Sequence, residues 1–172
     1  RHLGQCIERR QADERLRDSE ARFRALMDQA PGSMQIFSPD GRTLRVNPAW
    51  SQLWGVTLEQ IPGYNVLADP QLEEKGVLPY LRRAFAGEAV AIPAIRYDPN
   101  ETIPDRTQHS DPARYVSAVA YPLKDDAGRV QEVVLVHEDI TARRHAESAL
   151  RESEEKLRLL ADTIPQLAWM AE

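Results

Sequence analysis

Arg129-Val130-Gln131-Glu132-Val133-Val134-Leu135-Val136-His137-Glu138-Asp139-Ile140-Thr141 changes character within three residues of its end. Residues 129–138 have strand composition around the apolar run Val133-Val134-Leu135-Val136, the pattern of a buried strand. Beyond Thr141 the chain turns charged, with Glu147/Arg151, Glu152/Lys156 and Glu154/Arg158 at the i,i+4 spacing that supports a helix. A sheet strand therefore runs almost directly into an exposed helix. On its other side, Asp125-Asp126-Ala127-Gly128 has turn chemistry, and residues 114–123 supply a second long strand, so the stretch is one arm of a hairpin.

Further upstream, residues 98–112 are polar and proline-bearing and read as an exposed loop. Residues 89–97 form a strand weakened by Pro93, which suits an edge position or a bulge. Before them lie short helices. Residues 77–86 end at Gly87, and Asp69-Pro70 opens a piece that stops near Gly76. Thr57 and Gln60 make a small capping box, while Asn47-Pro48 reads as N-cap and first residue of a two-turn helix bearing Trp50, Leu53 and Trp54 and ended by Gly55. Met34 and Ile36 alternate with Gln35 and Phe37, Pro39-Asp40-Gly41 turns, and residues 43–46 alternate again, which predicts a short hairpin.

Residues 2–29 contain no proline and place Asp13/Arg17, Asp18/Arg22 and Glu20/Arg24 at i,i+4, so one long helix opens the chain. Leu16, Phe23 and Ala30 recur every seven residues with Ala12, Ser19 and Leu26 between them, a narrow apolar seam with charged flanks. Pairing with a second chain is the preferred reading; packing on the protein's own sheet is the alternative. The order helix, two strands, short helices, three strands, helix implies an α+β fold with an antiparallel sheet.

The opening helix is echoed later. Leu16 through Pro31 is repeated as Leu150 through Pro165 at a constant offset of 134 residues (150 minus 16, 165 minus 31). So long a period points to tandem domains joined by helices rather than a solenoid. The chain, at 172 residues, has room for one domain of about 100 to 150 residues with helical extensions. It starts at Arg1 and stops soon after Pro165, and is expected to be a piece of a longer protein. A net charge of −5 argues against nucleic acid or direct contact with an anionic membrane, since both need a concentrated basic surface. No stretch approaches 18 apolar residues, and the one cysteine, Cys6, makes no intrachain disulfide; a reducing, cytoplasmic setting is expected, whatever anchor the parent protein carries elsewhere.

Several of these segments resemble a PAS domain with its PAC segment, the sensory module of bacterial signalling proteins. The matching motifs are Ser38-Pro39-Asp40-Gly41, Val46-Asn47-Pro48-Ala49-Trp50, Leu53-Trp54-Gly55, Asp125-Asp126-Ala127-Gly128-Arg129 and Asp139-Ile140-Thr141. The resemblance covers residues 19–141. It implies a five-stranded antiparallel sheet with short helices on one face, flanked by long coiled-coil helices. Residues 1–18 become a linker helix, in which Leu3 to Ala12 resembles the end of a GAF domain; residues 142–163 become a signalling helix, and 164–172 the start of a second PAS domain. The last motif would couple the sheet to the outgoing helix through Asp139, Ile140 and Thr141, with Thr141 as N-cap. The dimer seam would comprise Leu16, Ser19, Phe23 and Leu26 on the first helix and Ala146, Ser153, Leu157 and Leu160 on the last.

A pocket between sheet and short helices is implied as well, walled by Met34, Ile36, Trp50, Trp54, Tyr64, Leu81, Phe85 and Ile95, with Arg83 or Arg96 available to a carboxylate. Core filling is the favoured role for its aromatics. The cofactor stays unassigned. Covalent flavin photochemistry is disfavoured because Cys6 lies upstream of the domain, and histidine-ligated haem because residues 77–86 lack a histidine. His2, His109, His137 and His145 show no metal-ligand spacing, and His137-Glu138 ends a strand instead of lying on a phosphoacceptor helix. The expected function is a noncatalytic, homodimeric sensor and relay within a histidine kinase or cyclic-dinucleotide enzyme, acting on adjacent domains of its own chain. The alternatives are a receptor for flavin, haem or a small metabolite, and a structural dimerisation spacer.

Overall fold

A computed structural model describes residues 2–102 and 113–168, with side chains over 9–102 and 113–162. Five strands, β1 (Ser33–Phe37), β2 (Thr43–Val46), β3 (Val90–Tyr97), β4 (Arg114–Lys124) and β5 (Val130–Asp139), form one antiparallel sheet in the order β2-β1-β5-β4-β3. The first strand thus pairs with the last, Ser33 opposite His137. β3 lies at the edge, and its register slips between Ile92 and Ile95, around Pro93, whose ring nitrogen has no hydrogen to give the ladder. The β4–β5 hairpin turns on Asp125, whose Oδ1 accepts the N–H groups of Ala127 and Arg129 at 3.0 and 2.9 Å.

The apolar run of β5 divides between two faces, as the two-residue period of a strand requires. Val133 and Leu135 join Phe37, Ala118, Ala120 and Ile92 in the main core, beneath Trp50, Trp54, Leu72, Leu78 and Leu81 of the helical side. Ile36 and Val134 point the other way and pack with Met27, flanked by Met34 and Val136. Helices α2 (Pro48–Trp54) and α3 (Pro70–Glu74) arise at the predicted proline and cap positions, and α4 (Leu78–Phe85) falls within the predicted span ahead of Gly87. Gly55 closes α2 in the left-handed conformation, φ 64°, returning its N–H to Ser51 O. Gly41, at φ 89°, has no space for a side chain: a Cβ would lie 2.9 Å from Leu67 Cγ.

One expectation needs correction. The exposed loop predicted over 98–112 begins instead with a helical turn, α5 (Pro99–Thr102), whose Pro99 is fully buried. The buried side chain of Gln71 holds it, Nε2 donating to Asp98 O at 2.6 Å and Thr102 Oγ1 at 2.9 Å while Oε1 accepts the Asp98 N–H at 3.1 Å. Residues 103–112 lie outside the described residues.

Helices α1 (His2–Gln29) and α6 (Thr141–Ala168) flank this body. The backbone of α6 continues past Pro165, beyond the boundary expected at 163. α1 is exposed over residues 9–26, and α6 over 142–162, so the alternative in which the stripe of α1 lies along its own sheet applies only to its last turns.

Candidate functional site

Between the inner sheet face and the short helices lies a cavity of about 70 Å³. Of the residues expected to wall it, Trp50, Trp54, Tyr64, Leu81 and Ile95 do so. Met34 and Ile36 do not, because they stand on the outer face with Met27; the sequence alternation had the right period and the opposite phase. Phe85 meets Phe37 at a tilt of 54° outside the lining, and Arg83 pairs with Glu88 at the exposed end of α4. Arg96 is exposed and likewise outside it, so no arginine among the described residues meets the cavity. Gln35, Tyr97, Leu135 and His137 take part instead. The volume is less than half the roughly 150 Å³ that admits a benzene ring, so the aromatics mostly pack against one another: the Trp54 ring stands edge-on to Tyr97 at 5.2 Å and to His137 at 5.4 Å.

The polar groups around this space are largely satisfied. Gln35 accepts the Trp50 indole N–H at 2.9 Å and donates to Thr43 Oγ1 at 2.8 Å. Asp69, fully buried, caps α3 by accepting Gln71 N–H at 2.9 Å and Leu72 N–H at 3.3 Å through Oδ1, while Oδ2 accepts the hydroxyls of Tyr64 at 2.8 Å and Tyr97 at 2.6 Å. Burial and the adjacent Asp69 raise the pKa of both tyrosines, which keeps them as donors.

His137 has its Nδ1 3.2 Å from Ser33 Oγ, and burial pushes its pKa down to about 4 against the opposing hydrogen bond it makes to the Ser33 backbone. The folded protein therefore holds this imidazole neutral where the unfolded chain, near 6.5, begins to protonate. Stability from this source is complete above pH 6.5 and is lost as the pH falls toward 4, by at most about 3 kcal/mol. Urea titrations across that interval should show the loss in the wild type and a flatter profile in His137→Phe. Equal slopes would mean that other groups govern the acid limb.

Two joints link this body to its helices. At the entry, the side chain of Asn47 is buried, and its Nδ2 donates to Gly32 O at 2.8 Å, Met27 O at 3.3 Å and Ala30 O at 3.4 Å. Its Oδ1 accepts the N–H of Met34 and of Trp50, both at 2.9 Å. Asn47 thus pins the end of α1 to β1 and α2. The sequence shows it only as an N-cap; its reach to residues 27–32 needs the fold.

At the exit, Asp139 Oδ1 accepts the Thr141 N–H at 2.9 Å, so the aspartate caps α6. Thr141, expected as the N-cap, is the first helical residue, and its Oγ1 accepts the N–H of Tyr115 on β4 at 2.9 Å. Ile140 donates its N–H to Tyr115 O at 2.9 Å, and the Arg144 guanidinium lies 5.9 Å from the Tyr115 ring. Because Ser33 faces His137, α1 and α6 meet adjacent central strands at the same end of the sheet. Among the expected seam residues, Leu16, Leu26, Leu157 and Leu160 are exposed, as are Ser19, Ala146 and Ser153, whereas Phe23 lies under the Arg45 guanidinium at 5.4 Å.

A family model described as the PAS fold matches residues 27–145. Among solved structures, the PAS domain of BvgS from Bordetella pertussis aligns at 24% identity over 81% of this chain and 98% of that one, with a TM-score of 0.51. The PAS domain of an HTR-like protein from Haloarcula marismortui gives 15% identity, 76% and 99% coverage and a TM-score of 0.55. A LOV protein from Rhodobacter sphaeroides gives 13%, 78% and 73%, and 0.57. No curated protein matches the chain.

Proposed function

The chain belongs to the PAS fold family, and on that premise we propose that it is a noncatalytic sensory and relay module, homodimeric through its flanking helices, which passes a signal to a distal output domain such as a histidine kinase. The observation that carries this reading is the placement of both helices at one end of the two central strands, with a side-chain joint at each. A shift of β1 against β5, at Ser33 and His137, would be felt at the end of α1 and the start of α6 together. Asp139 and Thr141 convert movement of the sheet into movement of the helix, because they bond the first turn of α6 to β5 and β4. Small and polar positions in the seam, Ser19, Ala146 and Ser153, suit helix pairs that change register or splay at little cost. The reading extends to tandem modules in a cytoplasmic, GAF- and PAS-containing parent chain. No described helix is long and apolar enough to cross a membrane.

The test is Asp139→Ala in the full-length protein. The exposed cap it removes costs about 1 kcal/mol, so the domain should stay folded while the output ceases to follow the stimulus. An undiminished response with normal folding would refute the relay. A second reading, receipt of a small ligand, requires the cavity beside His137 to widen, since its volume of about 70 Å³ does not admit a benzene ring. An absorbance spectrum of the purified protein separates flavin or haem from a colourless occupant.

A further inference from the structure

The offset of 134 residues pairs Leu150 with Leu16, Leu157 with Phe23, Leu160 with Leu26 and Ala161 with Met27. The fold sorts these pairs into two kinds. Leu16 and Leu26 are 60% and 73% exposed on α1, and Leu150 and Leu160 are 62% and 61% exposed on α6, so these positions have the same surroundings in both copies. Phe23 and Met27 turn instead toward the domain that follows them. Phe23 lies beneath Arg45 of β2 and is 37% exposed, and Met27 is 7% exposed against Ile36 and Val134 on the outer sheet face. Leu157, which stands where Phe23 stands, is 63% exposed.

We propose that Leu157 and the helical turn after it are the docking segment for a second module of this fold, which follows in the same chain and receives them on the outer face of its sheet. The proposal rests on the tandem-module reading and assigns its contact. It divides the expected seam in two: Leu16, Leu26 and Leu160, joined by Leu150, remain for helix pairing, while Phe23 and Leu157 each serve the module downstream. The receiving face must offer aliphatic side chains from two central strands, as Ile36 and Val134 do here. Leucine lacks the ring face that Phe23 gives Arg45, and Ala161 is shorter than Met27, so the second contact is purely aliphatic and centred on Leu157. Leu157 lies 16 residues beyond Thr141 (157 minus 141), which puts the docking point about 24 Å along α6 from the joint with this sheet.

The test uses the full-length chain carrying Leu157→Cys or, separately, Leu150→Cys, each with Leu16→Asp and Leu26→Asp to open the helix pairs, and light scattering to select monomer. Dilution of the chain without the aspartates gives the same state if those changes impair folding. Alkylation by N-ethylmaleimide, followed by peptide-resolved mass spectrometry, should be at least tenfold slower for Leu157→Cys than for Leu150→Cys. Equal, fast rates overturn the docking. Limited proteolysis of the same samples reads the underlying premise separately: a compact unit after residue 172 with equal rates refutes the contact alone, and no compact unit refutes both.

Discussion

Asn47→Ala should lower the stability of the domain by about 3 kcal/mol or more, measured as the shift of the urea midpoint at constant slope. Loss of an N-cap alone accounts for about 1 kcal/mol. The remainder comes from the other bonds: alanine leaves the Met34 and Trp50 N–H groups and the carbonyls of Met27, Ala30 and Gly32 without this partner, in a site that is almost fully buried. Asn47→Asp separates the two halves of the role. It keeps the acceptor for Met34 and Trp50 but sets a carboxylate against three carbonyl oxygens, so hydrogen exchange should quicken at residues 27–32 more than in α2. A loss near 1 kcal/mol for alanine, with unchanged exchange at 27–32, would reduce Asn47 to an ordinary cap.

Asp69→Ala is the second large effect, also about 3 kcal/mol. It uncaps α3 and strands two tyrosine hydroxyls beside the cavity. Tyr64→Phe or Tyr97→Phe removes one bond and should cost about 1 kcal/mol each. In the background of Asp69→Ala each should cost less than alone, because the hydroxyl no longer has its acceptor. Asp69→Asn should fall between wild type and alanine: its oxygen still caps α3, while its amide faces two hydroxyls that must rotate to accept. Additive costs for Asp69→Ala and Tyr97→Phe would show that the bond contributes little.

Much of the architecture could be read from local chemistry. Asn47-Pro48 and Asp69-Pro70 start helices as N-cap and N1, Gly55 ends one, the Thr57–Gln60 box forms, and Pro93 marks an edge strand with a bulge. Each is a short-range interaction, so neighbours in sequence suffice to predict it. The cavity was less legible because facing depends on distant cover. Met34 and Ile36 are the more apolar pair of β1, yet Met27 offers them a second core, which frees Gln35 and Phe37 to face inward. Gln71 was missed as a structural tie, and Ser33 was missed as the partner of His137, whose structural or pH-responsive role where sheet meets helix was expected, for the same reason: the partners lie 27 to 31 and 104 residues away. The stripe was legible, but not that Phe23 and Met27 lean on the sheet while Leu16 and Leu26 stay exposed, since periodicity does not record what covers a residue.

The pairing of β1 with β5 also bears on assembly. The backbone near Ser33 can meet that near His137, 104 positions on, only after all of the chain between them has been made and the loop closed, a non-local step expected late in folding. The paired ends that join α1 to α6 therefore cannot exist in an unfinished or partly unfolded domain. Under the proposed relay, a nascent or damaged chain would have two helices with no mechanical connection through the sheet, and so could not emit a false signal. On that proposal, completion of the sheet would act as an internal licence, with relay competence arriving only when the domain is whole.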